Sequence, residues 1–154
     1  MIVFLSIRRK AYKDYVNGTN KHKVAWHPSD IEVFKKVMDI NFWGAVYATK
    51  YCLDSITQQK GSIIGISSIN GYRGTPARTA YTASKFAMNG FFESLRTELL
   101  KKDVHVLVAC PGFTSSNIRS NALLADGTPQ GESPRNEAKM MSAEEVASHI
   151  VEAT

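Results

Sequence analysis

The chain has 154 residues, 44% hydrophobic and 21% charged, with a formal net charge of +5. That composition supports one domain with a core and sets aside disordered, collagen-like and disulfide-scaffold classes. The two cysteines, Cys52 and Cys110, form no C-x-x-C pair, so no metal site and no redox motif are expected. Their apolar surroundings point instead to buried free thiols in a reducing, cytoplasmic setting.

Residues 1–28 form a basic segment with Arg8, Arg9, Lys10, Lys13, Lys21 and Lys23, in which Met1 to Ile7 reads as one strand and Asn17-Gly18 as a turn. Such an arm can attract nucleic acid or anionic lipid, but it has no helical face and no regular aromatic interleaving, so a solvated segment is the expectation. No stretch approaches the roughly 20 apolar residues needed to span a bilayer.

Pro28-Ser29-Asp30 marks a helix start with Ser29 as cap, and Ile31, Phe34, Val37 and Met38 follow at helical spacing. The pattern runs on through Trp43, Val46, Tyr47 and Tyr51 to about Ile56. Ser62 to Ser68 is a short β-branched run that fits a buried parallel strand. Residues 70–76 are dense in turn formers. A long amphipathic helix is predicted over about 79–101, with Phe86, Phe91, Leu95 and Leu99 among its apolar positions. Val104 to Cys110 is a second buried strand, ended by Pro111-Gly112. Residues 114–141 are polar and read as a loop or lid. Ser142-Ala143-Glu144-Glu145 has the form of a helix cap with acids in the first turn.

This order predicts an α/β layered domain with parallel strands, in which ligands bind beyond the carboxyl ends of the strands. Both strands end in chemically useful residues, Ser67-Ser68 and Pro111-Gly112. Tyr81 and Lys85, at i and i+4, share a helix face, so an ammonium can lie near a phenol. A free phenol ionises near pH 10, and a nearby fixed cation favours the phenolate, which brings such a group toward acid/base use. Taken alone, the pair reads better as a chance pairing on an exposed face. Ser68 ends a strand thirteen positions before Tyr81, where its hydroxyl can meet a substrate oxygen. A serine nucleophile is disfavoured because no G-x-S-x-G elbow is present. His105 reads as structural, and His22, His27 and His149 have no evident partner or metal-ligand spacing.

Four pieces occur in order: Asn41 in Asp39-Ile40-Asn41-Phe42-Trp43-Gly44, Ser68 closing Gly65-Ile66-Ser67-Ser68, Tyr81-Thr82-Ala83-Ser84-Lys85, and Pro111-Gly112. Together they resemble the short-chain dehydrogenase/reductase family, from about residue 30 to the C-terminus. The wording of Pro111 to Thr114 and Ser142 to Glu145 looks like a bacterial branch. The resemblance implies a Rossmann-like, doubly wound parallel sheet over 29–154 and a cofactor, NAD or NADP, with a secondary alcohol or ketone as substrate. It implies that Tyr81 exchanges a proton with the substrate oxygen and that Ser68 polarises that oxygen. Lys85 would hold the nicotinamide ribose and tune Tyr81. Asn41, at a helix distortion, would hold a water in a proton relay. Pro111, Gly112, Thr114 and Ser116 would pass close to the nicotinamide.

The same resemblance shows departures. No glycine-rich turn for the cofactor phosphates is present, and Tyr15-Val16-Asn17-Gly18 matches the family's Asn-Asn-Ala-Gly strand end only as a degraded equivalent. The first βαβ unit and the last strand have no counterpart, so a truncated gene, an alternative start or a partial sequence is expected. Three functions stay open. The first is an oxidoreductase acting on a small molecule. The second is an inactive fragment that serves as a homodimer or homotetramer partner through the helices bearing Asn41 and Tyr81. The third, the weakest, is a basic-arm nucleic-acid binder. Membrane association is not expected.

Overall fold

The computed structural model describes residues 31–75, 78–124, 126–131, 133 and 136–154. The predicted Met1–Ile7 strand, the Asn17-Gly18 turn and the Ser29 cap lie outside the described residues. The first predicted helix is α1 (Ile31–Met38), which passes through a five-residue π-helical segment (Asp39–Trp43) into α2 (Gly44–Gln58). Then come β1 (Ser62–Ile66), a 3₁₀ turn (Ile69–Gly71), α3 (Thr79–Leu99) and β2 (His105–Ala109). A last 3₁₀ turn (Glu137–Lys139) precedes α4 (Ala143–Glu152).

β1 and β2 pair in parallel, from Ser62 opposite His105 to Ile66 opposite Ala109. Parallel neighbours need a crossover, and α3 provides it. Each strand is entered through a left-handed residue, Lys60 (φ 50°) and Asp103 (φ 54°), and these two close a 2.8 Å ion pair.

The core is one layer. From α3, Met88, Phe92, Leu95 and Leu99 repeat every three or four residues and bury one stripe against Ile63, Val104 and Val106. Gly65 gives this packing its closeness, because a Cβ there would lie 2.5 Å from the Phe92 ring. Phe42, Ala45, Leu53, Ile56, Phe91 and Val108 flank the cluster.

Three expectations are corrected. β1 is not buried on both faces: Ile63 and Gly65 are covered, whereas Ile64 and Ile66 are 38% and 49% exposed. α3 packs on one face of the pair only. Phe86 points away from that contact and is 47% exposed, so it is not a core position. Cys52 is exposed and Cys110 half-buried, because Cys52 lines an open groove between α2 and the side of β1 that pairs with no described strand.

The described residues of the 114–141 segment are joined by their own contacts. Thr114 and Met141 form a parallel bridge at its base, and Leu123 and Pro129 an antiparallel one further out. Arg119 donates to Glu137 at 2.6 and 2.5 Å and to the Thr114 carbonyl at 2.6 Å, while the Ser133 hydroxyl shares Glu137. Arg119 holds the Glu137 carboxyl down to about 2, with Ser133 assisting. Ser142 and Glu145 form the reciprocal capping box expected at the start of α4. His149, which has no evident partner in the sequence, lies 3.6 Å from Glu152 one turn on. Among the described residues no helix is long and apolar enough to cross a membrane.

Candidate active site

The carboxyl ends of the two strands are stitched together beyond the ladder. Ser67 N–H donates to the Ala109 carbonyl at 2.7 Å, and Ile69 N–H reaches the Pro111 carbonyl at 3.4 Å. Ser68 therefore sits beside the Pro111-Gly112 turn. It is extended (φ −165°, ψ 162°) and caps the 3₁₀ turn, its hydroxyl accepting from Asn70 N–H at 3.2 Å.

α3 brings Tyr81 and Lys85 to this edge. Lys85 is 9% exposed, and its ammonium donates to the Ile66 carbonyl at 2.9 Å. It lies 3.5 Å from Met88 Sδ and 5.7 Å from the centroid of the Tyr81 ring. Burial pushes this amine below its ordinary range, a shift that the nearby Cys110 sulfur opposes. The lysine thus ties Tyr81 to the strand end that carries Ser68 two residues on. Of the sequence-predicted residues, Lys85 and Tyr81 are in contact, and Ser68 follows the carbonyl that Lys85 holds by two residues.

Asn41 lies in the π-helical segment, where an extra residue per turn displaces the backbone from the regular ladder. Its side-chain amide donates to Ser84 Oγ at 3.0 Å, and Ser84 Oγ donates to the Tyr81 carbonyl at 2.8 Å. Asn41 is thereby joined to the helix turn of Tyr81 and Lys85 through Ser84, which is fully buried. Sequence reasoning passed over Ser84. The available signal was a small polar residue one turn after Tyr81 and next to Lys85, on a face that the Asn41 helix must cross.

The four residues expected along the cofactor edge follow β2. Pro111 and Thr114 are half-buried, Gly112 and Ser116 exposed. Thr114 Oγ1 donates to the Gly112 carbonyl at 3.4 Å, and Ser116 Oγ accepts from Ile118 N–H at 3.4 Å. A Cβ on Gly112 would meet nothing within 4 Å, so this stretch leaves open space. Lys85 has three donor protons and one oxygen partner among the described residues. With the Ile66 carbonyl and Met88 Sδ as its partners, the ammonium keeps one donor proton that could meet a ribose hydroxyl of a nicotinamide cofactor. Among the described residues no group of three His, Cys, Asp or Glu side chains forms a metal site.

This is a Rossmann-like α/β layer in which Lys85 of α3 reaches the carboxyl end of β1 beside the Tyr81 ring. The family model for short chain dehydrogenase matches residues 16–126. The chain belongs to the short chain dehydrogenase family.

A dehydrogenase/reductase SDR family member 7B from Rattus norvegicus is 44% identical over 124 residues, which cover 80% of this chain and 38% of that one. A dehydrogenase/reductase SDR family protein 7-like from Dictyostelium discoideum is 36% identical over 122 residues, 79% of this chain and 37% of its own. The chain thus spans less than two-fifths of the length of these curated relatives. Among solved structures, a short chain dehydrogenase from Burkholderia cenocepacia in complex with NADP aligns with a TM-score of 0.70 at 21% identity, covering 87% of this chain and 51% of that one. An alcohol dehydrogenase from Thermococcus sibiricus complexed with 5-hydroxy-NADP gives 0.61 at 20% identity, covering 77% and 46%. At these identities the structural likeness speaks for the fold alone.

Proposed function

We propose that this chain carries the acid/base centre of an NAD- or NADP-dependent oxidoreductase acting on a secondary alcohol or ketone. The observation that carries the reading is the placement of Lys85, bonded to the Ile66 carbonyl below Ser68 and set 5.7 Å from the Tyr81 ring. A bound nicotinamide cofactor supplies or takes up the hydride. Tyr81 gives a proton to the ketone oxygen or takes one from the alcohol, and Ser68 holds that oxygen by a hydrogen bond. Lys85 holds the ribose hydroxyls and keeps a positive charge near the phenol. Asn41 orders the proton path to Lys85, and Pro111, Gly112, Thr114 and Ser116 border the nicotinamide. NADP in one structural relative and 5-hydroxy-NADP in another support a nicotinamide dinucleotide without choosing its form. The test follows consumption of NADH or NADPH with a panel of ketones, and formation of either with alcohols. Turnover that survives Tyr81→Phe at the parent rate would sink the assignment.

A second reading, an inactive partner in a homo-oligomer, is favoured by one feature. Ile40, Trp43, Tyr47 and Tyr51 succeed one another every three or four residues and are 43 to 80% exposed, with Trp43 and Tyr47 stacked at 5.8 Å. Such a stripe suits contact with a second copy. Light scattering across a dilution series distinguishes a monomer from a dimer or tetramer.

A further inference from the structure

We infer that Asn70 is a positioning residue that sets the separation between the Ser68 hydroxyl and the Tyr81 phenol, an inference that rests on the acid/base reading of those two groups. The two residues belong to different elements, the end of β1 and the first turn of α3. Lys85 ties α3 to β1 one turn further along. At the level of Ser68 itself, Asn70 provides a tie.

Asn70 makes this link with both halves of the residue. Its backbone N–H donates to Ser68 Oγ at 3.2 Å. Its side-chain amide donates to Thr82 Oγ1 at 3.3 Å and to Thr75 Oγ1 at 2.8 Å. Thr82 follows Tyr81 directly in α3, so Asn70 touches one reacting residue and the immediate neighbour of the other. The residue is 8% exposed, which keeps water from competing for these bonds.

The turn that presents Asn70 is fixed from beneath. Asn89, 4% exposed in the middle of α3, donates to the Gly71 carbonyl at 3.1 Å. A Cβ on Gly71 would lie 2.6 Å from Asn89 Nδ2 and 2.8 Å from Ser67 Oγ, so this backbone has no room to shift inward. A serine hydroxyl carries one donor and two acceptor sites. Asn70 N–H occupies an acceptor site of Ser68 and leaves its O–H free for a substrate oxygen, and accepting a bond makes that O–H a better donor.

A misplacement of about 1 Å at a reacting pair can cost about 10²-fold in rate. The test compares Asn70→Leu, Asn70→Asp, Ser68→Ala and the Ser68→Ala/Asn70→Leu double variant with the parent chain. Leucine keeps the volume and removes the donors, whereas a carboxylate can accept from both threonine hydroxyls and preserve the link. The expected result is a fall in kcat of roughly 10- to 100-fold for Asn70→Leu, with the KM for cofactor unchanged. Asn70→Asp should recover most of the rate, and the double variant should be no slower than Ser68→Ala. Hydrogen exchange should rise together in peptides covering 68–75 and 79–85.

A parent-like kcat in Asn70→Leu, losses that add in the double variant, or an exchange increase confined to 68–75 would each overturn the inference. Absence of turnover in the parent would count against the proposed function only. The exchange arm then decides whether Asn70 couples the two segments.

Discussion

Lys85 Nζ stands 5.7 Å from the centre of the Tyr81 ring while bonded to the Ile66 carbonyl at 2.9 Å. One helix side chain thus registers both the phenol and the strand end that presents Ser68. Tyr81→Phe leaves this contact in place, because the ring is retained and only the hydroxyl goes. Where a phosphate-binding half is supplied, the expected outcome is a rate loss of about 10²–10⁴-fold with cofactor binding nearly unchanged, read by steady-state kinetics and titration.

Lys85→Met should damage both rate and cofactor binding, since the ammonium proposed to hold the ribose is lost. It also has a signature in stability. The folded-state pKa of Lys85 lies below its ordinary 10.5 because burial disfavours the ammonium. Between those two values the unfolded chain binds more protons, so the parent gains stability as pH rises through that window. Urea midpoints at neutral pH and just below the ordinary lysine range should show this gain in the parent and not in Lys85→Met.

Dinucleotide affinity of the 154-residue chain should be weak. The pyrophosphate carries most of the cofactor's charge, and helix N-termini behind glycine-rich turns are its usual anchor. This sequence contains no such turn. Calorimetric titration with NAD(H) and NADP(H) checks it, and micromolar binding would show that another segment takes the phosphates, the basic run from Arg8 to Lys13 first among them.

The Arg119–Glu137 pair should hold the 114–141 loop across the whole neutral range. Glu137 is depressed from 4.5 to about 2 by Arg119 and Ser133, so its contribution is complete above the unfolded value and is lost as pH falls toward the folded one. Pepsin cleavage within 114–141 should stay slow until the pH drops below 4.5 and then accelerate. In Arg119→Gln it should already be fast at the upper end of that range.

Two glycines should respond in opposite directions to alanine. At Gly65 the new methyl would meet the Phe92 ring at 2.5 Å, and Phe92 is 3% exposed and cannot retreat. A loss of about 1–3 kcal/mol is expected for such overpacking. At Gly90, exposed within α3, a Cβ meets nothing within 4 Å, and Gly90→Ala should gain roughly 0.5–1 kcal/mol. Chemical denaturation of both variants reads the difference.

The elements were legible in the sequence to within a few residues. Helical spacing located α1 to α3, β-branched runs located the strands, and Ser142 to Glu145 announced the cap of α4. Ser68, Tyr81 and Lys85 stood out only through the family resemblance, since the spacing of Tyr81 and Lys85 alone reads as a chance pair. The partners that hold them were not legible. Asn41 meets Ser84 across 43 positions, Arg119 meets Glu137 across 18, and Asn70 meets Thr82 across 12. Such bonds exist only once elements pack, and the single residues carry no periodic signal. Cys52 and Phe86 were misread for a related reason: hydrophobic neighbours in sequence do not say which side of a helix the sheet lies on.

The π-helical segment at Asp39–Trp43 acts as a phase shift between two halves of one long helix. Each α-helical residue advances about 100° around the axis and 1.5 Å along it. Removing one residue from the segment would restore a regular helix and rotate everything beyond it by that step. Asn41 would lose its line to Ser84, and the Trp43, Tyr47 and Tyr51 ridge would swing a quarter-turn or more relative to α1. One inserted residue therefore aims both the hydrogen bond behind the site and the aromatic ridge on the outer surface, and neither can be re-aimed without the other.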